Sequence, residues 1–495
     1  MAAGTAYEPV IGLEIHVELS TKSKMFCGCE ARFGGIPNTR TCPVCSAQPG
    51  ALPVINREAI RHIARIALAL DCRIAPGSIF HRKNYFYPDL PKGYQISQYD
   101  MPFAVEGHLD VTMDGEQHRV GIERVHQEED TGKNIHAGES GRIAGAIYSL
   151  IDFNRCGIPL VEIVTKPDIH SPQVARSFLN KLKNTLQYLD VSDCNMEEGS
   201  LRCDANVSVR PAGSDLLGVK TELKNMNSFK HLEKGLAKEI ERQIGLLEAG
   251  RPVVQQTVHY EVASGEVHPM RSKEYAHDYR YFPEPDLSPL EISQDFVDDV
   301  RTGMPELPSV RAARYVTELN LPEYDAEVLT SNRDTSDFFD ETLNYFDDQK
   351  MLSNWVMGDL GAYLNASGKK LSIETVSPGQ ADQLCWLSPA GFGEFLAMIK
   401  DGEIAAASGK AVLPEMCETG KTAREIVEEK GLAQISDTAR IEALIDRVIE
   451  ANPEQREQYK SGKKQVLGYF VGQVMKESGG RANPRTVNEI LREKL

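Results

Sequence analysis

The chain has 495 residues, with 72 acidic against 55 basic side chains and a formal net charge of −17. A surface that acidic excludes indiscriminate binding to nucleic acid, and no apolar run approaches the length that spans a membrane. The opening MAAGTAYEPVIGLEIHVEL lacks the basic-then-apolar pattern of a secretory leader, so a cytoplasmic setting is expected.

The first predicted element is a strand over Val10–Val17. Within GLEIHVEL, the polar residues Glu14, His16 and Glu18 alternate with apolar ones, so a period of two sets all three on one face. Next comes CGC–x12–CPVC. Two cysteine pairs on tight turns, Cys27 with Cys29 and Cys42 with Cys45, can present four thiolates to Zn²⁺. Four sulfurs saturate that ion, so a closed structural site in an insertion over 27–45 is expected; metal-free thiols are the alternative. The remaining cysteines are scattered among apolar neighbours, as buried thiols in a reducing compartment are. A helix is predicted over Ile55–Leu70, with Ile55, Ala59, Ile63, Ile66 and Leu70 on one face.

The segment HRKNYFYPDLPKGYQISQYD then brings Lys83, Tyr85 and Tyr87. Strands are predicted over Val120–Val125, running into HQEEDTGK, and over Leu160–Val164, where Glu162 interrupts an apolar run. The spacing predicts a helix over Val174–Leu189 with Phe178, Leu182 and Leu186 inward. Arg202 and Asp204 lead into a strand at Ala205–Val209. A longer helix over Asn227–Gly250 is ended by Gly250 and Pro252. YFPEPDLSPL, at 281–290, reads as a connector out of the first domain because it holds three prolines in ten residues. Residues 291–408 are helix-rich and acidic. Residues 409–495 form a last helical unit with the stripe Val466, Phe470, Val471, Val474 and Met475. From 410 onward there are 15 basic and 14 acidic residues, so the tail tolerates a polyanion better than the acidic remainder does. Strands mixed irregularly with helices imply an α+β fold.

A carboxylate inside an apolar strand is costly unless it is paired or binds a metal. Glu14, Glu128, Glu129 and Glu162, with His16 and neighbours Glu123, His126 and Asp130, are such groups, and hard oxygens suit Mg²⁺ and its phosphate ligands. Taken singly, each is equally at home in a salt bridge or a solvated face. Lys83, Arg202, Lys224 and Arg280 are the candidate phosphate holders. Tyr85, Tyr87, Tyr279 and Tyr281 either stack on a base or pack. No complete GxxxxGK[ST] loop, GxGxxG turn or nucleophile elbow is present, so nucleotide use requires a different fold.

Together VIGLEIHVEL, HRKNYFYPDLPKGYQISQYD, HQEEDTGK, GIPLVEIVTKPD, EEGSLRCDANVSVRP, ELKNMNSF and DYRYFPEPDL resemble the B subunits of glutamyl/aspartyl-tRNA amidotransferases, from about residue 7 to the C-terminus. The resemblance implies a cradle domain over 1–290 with an antiparallel sheet similar to glutamine synthetase and guanidino kinases. An all-α domain over 291–408 and a tRNA-binding tail over 409–495 would follow. It implies a heterotrimer with a glutaminase A subunit and a small C subunit. The reaction implied is ATP- and Mg²⁺-dependent phosphorylation of the side-chain carboxylate on misacylated tRNA(Gln) or tRNA(Asn), followed by displacement by ammonia. Carried over by motif, Glu14, His16, Glu128, Glu129 and Glu162 bind the metal. Lys83, Tyr85, Arg202 and Asp204 line the pocket. Some family members bind zinc at the four cysteines and others lack them. Adjacent strand residues face opposite ways, so Glu128 and Glu129 can share one ion only through a bent backbone or a water. The alternative function is a noncatalytic tRNA-binding scaffold.

Overall fold

The computed structural model describes residues 6–137, 146–224, 226, 228–270, 279–373, 383–434, 438–479 and 481–495. The chain divides into two units, Met1–Leu307 and Pro308–Leu495. Among the described residues, no helix is long and apolar enough to cross a membrane.

In the first unit nine of the described strands build one sheet. Its spatial order is Glu266–Pro269, Thr257–Glu261, Thr221–Lys224, Leu201–Pro211, Tyr7–Glu18, Pro159–Thr165, Glu116–Glu129, Ala104–Met113 and Arg73–Ile74. Every neighbouring pair is antiparallel except Thr221–Lys224 with Thr257–Glu261, which are parallel because the helix Phe229–Glu248 crosses between them. Local chemistry sets the helix starts. Asn56 caps Arg57–Ala69 by accepting from the amides of Glu58 and Ala59. Ser171 caps Pro172–Tyr188, with proline at the first turn, so that helix begins two residues before the apolar periodicity does. Ser228 caps Phe229–Glu248; Asn227, the expected start, lies outside the described residues.

The three helices bury Ile63, Ile66, Phe178, Leu182 and Leu236 against Leu13, Ile15, Val17, Val161 and Ile163. The alternate residues of the same strands therefore fall on the other face, which carries the polar groups.

Residues 281–290 do not lead away from this unit. Phe282 and Pro283 pair with Arg82 and His81, and Leu290 and Glu291 with Ser78 and Gly77. Buried Glu284 accepts two hydrogen bonds from Arg82, at 2.7 and 2.6 Å. The helix Gln294–Thr302 then adds Val297 and Val300 to the same core. Residues 291–307 thus belong with the first unit, because the apolar face of that helix is buried there. The second unit is not all-α. Lys370–Ser372 and Leu384–Trp386 form a parallel pair. Its first core runs from Tyr315 to Val427 and includes Val412, Leu413, Met416 and Ile426. A separate core runs from Ile441 to Leu491. The packing break among the described residues therefore falls after Val427 and not at 408.

Candidate active site and metal centre

Sheet register sets four side chains abreast on the polar face. Arg202 lies opposite His16, His16 opposite Glu162, and Glu162 opposite His126. His126 Nε2 is 3.0 Å from a Glu162 oxygen and 3.4 Å from Glu128 Oε1, and His16 Nε2 is 3.8 Å from Glu162. Glu128 also accepts from Ser97 Oγ at 2.7 Å and Gln95 Nε2 at 3.1 Å. Burial opposes charge on His126, but the Glu162 and Glu128 carboxylates outweigh it and push its pKa up to about 9. Burial likewise opposes ionisation of Glu128, yet His126 and Lys83 hold it below the usual carboxylate range. One donor atom each from His16, Glu128 and Glu162 lie within 4.8 Å of one another. Two carboxylates and an imidazole so placed fit a divalent cation that keeps further positions for water or phosphate oxygens.

Lys83 stands over the Tyr279 ring at 5.0 Å. Burial works against its charge, but Glu128, Tyr281 and Glu162 keep the ammonium above its ordinary range. Tyr85 donates to Gln95 Oε1 at 3.4 Å, and burial raises its hydroxyl. Tyr281 stacks on Tyr99 at 4.2 Å, and Tyr87 is exposed.

The remaining candidates spread outward. Glu14, two residues from His16 on the same face, accepts from Asn206 Nδ2 at 2.9 Å and lies opposite Asp204. Asp204 accepts from Lys224 Nζ at 2.8 Å, and Lys224 also pairs with Glu222. Arg202 donates to Asp130 at 2.9 Å. Arg280 is exposed, and its carbonyl accepts from Asn84 Nδ2 at 2.8 Å. Glu129 is on the opposite face from Glu128. It accepts from the Ile96 amide at 2.9 Å and pairs with Lys92, facing a cavity shared with Lys24 and Cys45. The strand keeps regular register through Glu128 and Glu129, opposite Leu160 and Pro159, so alternation separates the two glutamates and no bend reunites them. Of the five carried-over metal ligands, three converge; Glu14 stands one step along the strand and Glu129 behind it. Sequence reasoning did not assign Gln95 and Ser97, whose signal was the alternation in YQIS, nor His126 as the clamp of the two carboxylates.

The four cysteine sulfurs also lie within 4.8 Å of one another. Cys42 and Cys45 Sγ are 3.9 Å apart, close to the edge of about 3.8 Å of a tetrahedron with metal–sulfur bonds of about 2.3 Å. A hydrogen bond from Cys27 holds the Cys45 thiol down to about 4, against burial and with help from the Cys42 amide and Lys24, while burial pushes Cys29 up to about 11. Lys24 is 1% exposed, and its ammonium donates to the carbonyls of Arg40 at 2.8 Å and Phe153 at 3.1 Å and to Cys45 Sγ at 3.7 Å. A buried ammonium needs negative charge beside it, and Cys45 Sγ is among the groups it meets. A tetrathiolate holding Zn²⁺ supplies that charge, and the residues fit that ion.

The family model described as the GatB/GatE catalytic domain matches residues 9–298, and that described as the GatB domain matches 337–495. The B subunit of the aspartyl/glutamyl-tRNA(Asn/Gln) amidotransferase from Moorella thermoacetica is 53% identical over 99% of this chain and 100% of its own length. Its counterpart from Carboxydothermus hydrogenoformans is 49% identical, over 99% of both chains. That from Geobacter sulfurreducens is 50% identical, again over 99% of both. With its catalytic-domain match spanning the sheet that carries the row, and relatives of this identity along nearly its whole length, the chain belongs to the family of aspartyl/glutamyl-tRNA(Asn/Gln) amidotransferase B subunits.

Proposed function

We propose that this chain activates and amidates the side-chain carboxylate of glutamate on tRNA(Gln), of aspartate on tRNA(Asn), or of both, in the cytoplasm. A carboxylate oxygen attacks the γ-phosphorus of ATP and ADP leaves, giving an acyl phosphate. The nitrogen of ammonia then attacks the acyl carbon and loses a proton, and phosphate leaves with the electrons of the C–O bond. Oxide is too poor a leaving group for direct amidation, which is why phosphorylation comes first. The relatives' name supports the tRNA substrates and the amidation. Because it names them as one subunit, it also supports assembly with others; we assign these as a glutaminase A subunit that supplies ammonia and a small C subunit. The sheet unit serves as a cradle similar to glutamine synthetase and guanidino kinases, and the tail contacts the tRNA body.

The observation that carries the phosphoryl-transfer half is the convergence of His16, Glu128 and Glu162 beside Lys83. Phosphoryl transfer is catalysed mainly by positioning and charge neutralisation, which such a cluster provides without a phosphate-binding loop. Bound Mg²⁺ would screen the charge of the transferring group. His16, Glu128 and Glu162 would hold it, and His126, clamped between the two glutamates, fixes their orientation. Lys83, Tyr85, Arg202 and Asp204 line the pocket, with Lys224 and Arg280 as more distant phosphate contacts. The four cysteines hold a structural Zn²⁺. The test uses the reconstituted complex and a misacylated tRNA whose side-chain carboxylate carries ¹⁸O. One ¹⁸O should appear in inorganic phosphate. Amidation without that transfer would sink phosphorylation of the carboxylate, and ATP cleavage unaffected by loss of the row would favour the scaffold reading.

A further inference from the structure

At one end of the row stands a cation, Arg202, and a buried carboxylate, Asp130, holds it. We propose that Asp130 is a positioning residue that orients the Arg202 guanidinium toward the phosphoryl-transfer site, with Arg155 locking Asp130 in place. This rests on the transfer reading of the row.

Asp130 follows the strand Glu116–Glu129 and is 3% exposed. Its backbone is pinned on both sides: its amide donates to the Ile158 carbonyl at 2.8 Å, and its carbonyl accepts from the Gly157 amide at 2.8 Å. Gly157 makes that contact with φ of +87°, in the left-handed region that glycine adopts without strain. Oδ1 of Asp130 accepts from the Thr131 amide at 2.8 Å. Oδ2 accepts from Arg202 Nη2 at 2.9 Å and lies 3.5 Å from Arg155 Nε. Arg155 also donates to the carbonyls of Thr131 at 3.0 Å and Gly132 at 2.9 Å, so its guanidinium is bound to the turn that carries Asp130. Glu18, on the strand of His16, is a second carboxyl beside Asp130 and Arg202.

Arg202 is differently placed. It sits opposite His16, and its side chain is 38% exposed. Its Nε is buried without a partner among the described residues, so the Nη2–Oδ2 bond sets the plane of the guanidinium. A long side chain left free must be ordered at the moment of reaction, whereas one already held offers its donors to phosphoryl oxygens without that entropic cost. A planar fork fixed at one corner keeps its other N–H groups for a phosphate.

Chemical rescue in the assembled complex tests this. Arg202→Ala should lower tRNA-dependent ATP cleavage by about 100-fold. Guanidinium ion at tens of millimolar should restore about 10-fold of the loss by docking on Asp130. The double variant Arg202→Ala/Asp130→Asn should show no restoration. Asp130→Asn alone should lower kcat by about 10-fold with the KM for tRNA within about two-fold, and leave the partner's tRNA-independent glutaminase unchanged. If Asp130→Asn fails to assemble, Asp130→Glu, which displaces the charge by one methylene, should show the same kcat loss and weaker rescue of Arg202→Ala. Equal rescue in the presence and absence of the Asp130 carboxylate overturns the proposal, as does normal kcat in either Asp130 variant. A fully active Arg202→Ala complex overturns it too. The ¹⁸O transfer in the wild-type complex then shows separately whether the phosphorylation reading stands.

Discussion

At the scale of the residue, two glutamates adjacent in sequence part company. Glu128 meets His126, Gln95 and Ser97, whereas Glu129 meets Lys92 and the Ile96 amide. Glu162→Gln should therefore cut tRNA-dependent ATP cleavage by about 10³-fold, roughly 4 kcal/mol of barrier, as loss of a main electrostatic element does. Glu129→Gln should leave ATP cleavage within about three-fold of wild type. Steady-state assays on both complexes check the pair, and equal losses would contradict the separation. Lys24 gives a second prediction. Lys24→Met removes the cation beside the cysteine cluster, so chelator should strip zinc at about ten-fold lower concentration, a change of about 1.4 kcal/mol. Zinc release followed by a colorimetric indicator measures it; unchanged retention would mean that Lys24 is merely packed. That these residues are polar groups set into apolar strands was legible in the motifs. Which of each adjacent pair faces the row was not, because the phase of the alternation depends on pairing with Leu160 and Pro159 on another strand.

At the scale of the element, helix existence and phase were legible, and the ends followed capping chemistry. The proline-rich segment 281–290 was not. Its prolines read as an exit, but pairing with His81, Arg82, Gly77 and Ser78 makes it a return. Prolines sit comfortably at such edges because an edge strand leaves one row of donors unused. The anchor is the Arg82–Glu284 pair, in which the Glu284 side chain is 0% and that of Arg82 21% exposed. Arg82→Met leaves a buried carboxylate uncompensated and should destabilise the first unit by about 3 kcal/mol. The expected readouts are a lower thermal midpoint and new protease cleavage within 281–290. Cleavage unchanged from wild type would show that the backbone pairs alone hold the segment.

At the scale of the whole molecule, the cores divide the chain differently from its composition. Val412, Leu413, Met416 and Ile426 pack with Phe392 and Phe395, while Ile441, Phe470, Val474 and Leu491 form a core of their own. Truncation before residue 438 should leave the preceding core folded, raise the KM for tRNA and spare the partner's tRNA-independent glutaminase. Truncation before residue 410 also removes seven buried residues of the larger core, from Val412 to Val427, among which Leu413, Met416 and Ile426 are each worth about 2–5 kcal/mol, and should unfold it. Circular dichroism melting distinguishes the two. A shorter chain that binds tRNA normally would refute the tail's role, and equal stability of both truncations would refute the division of the cores.

By itself the sequence determined which residues could share a face, which cysteines could share an ion and where helices would start, since all of these follow from local periodicity and capping. The tertiary structure alone decided that His16, Glu128 and Glu162 meet, that Glu129 does not join them, and that Asp130 reaches Arg202. These contacts join strands far apart in the chain. Their register is set by how Leu13, Ile15 and Ile163 pack beneath the helices, and no window of neighbouring residues contains that information.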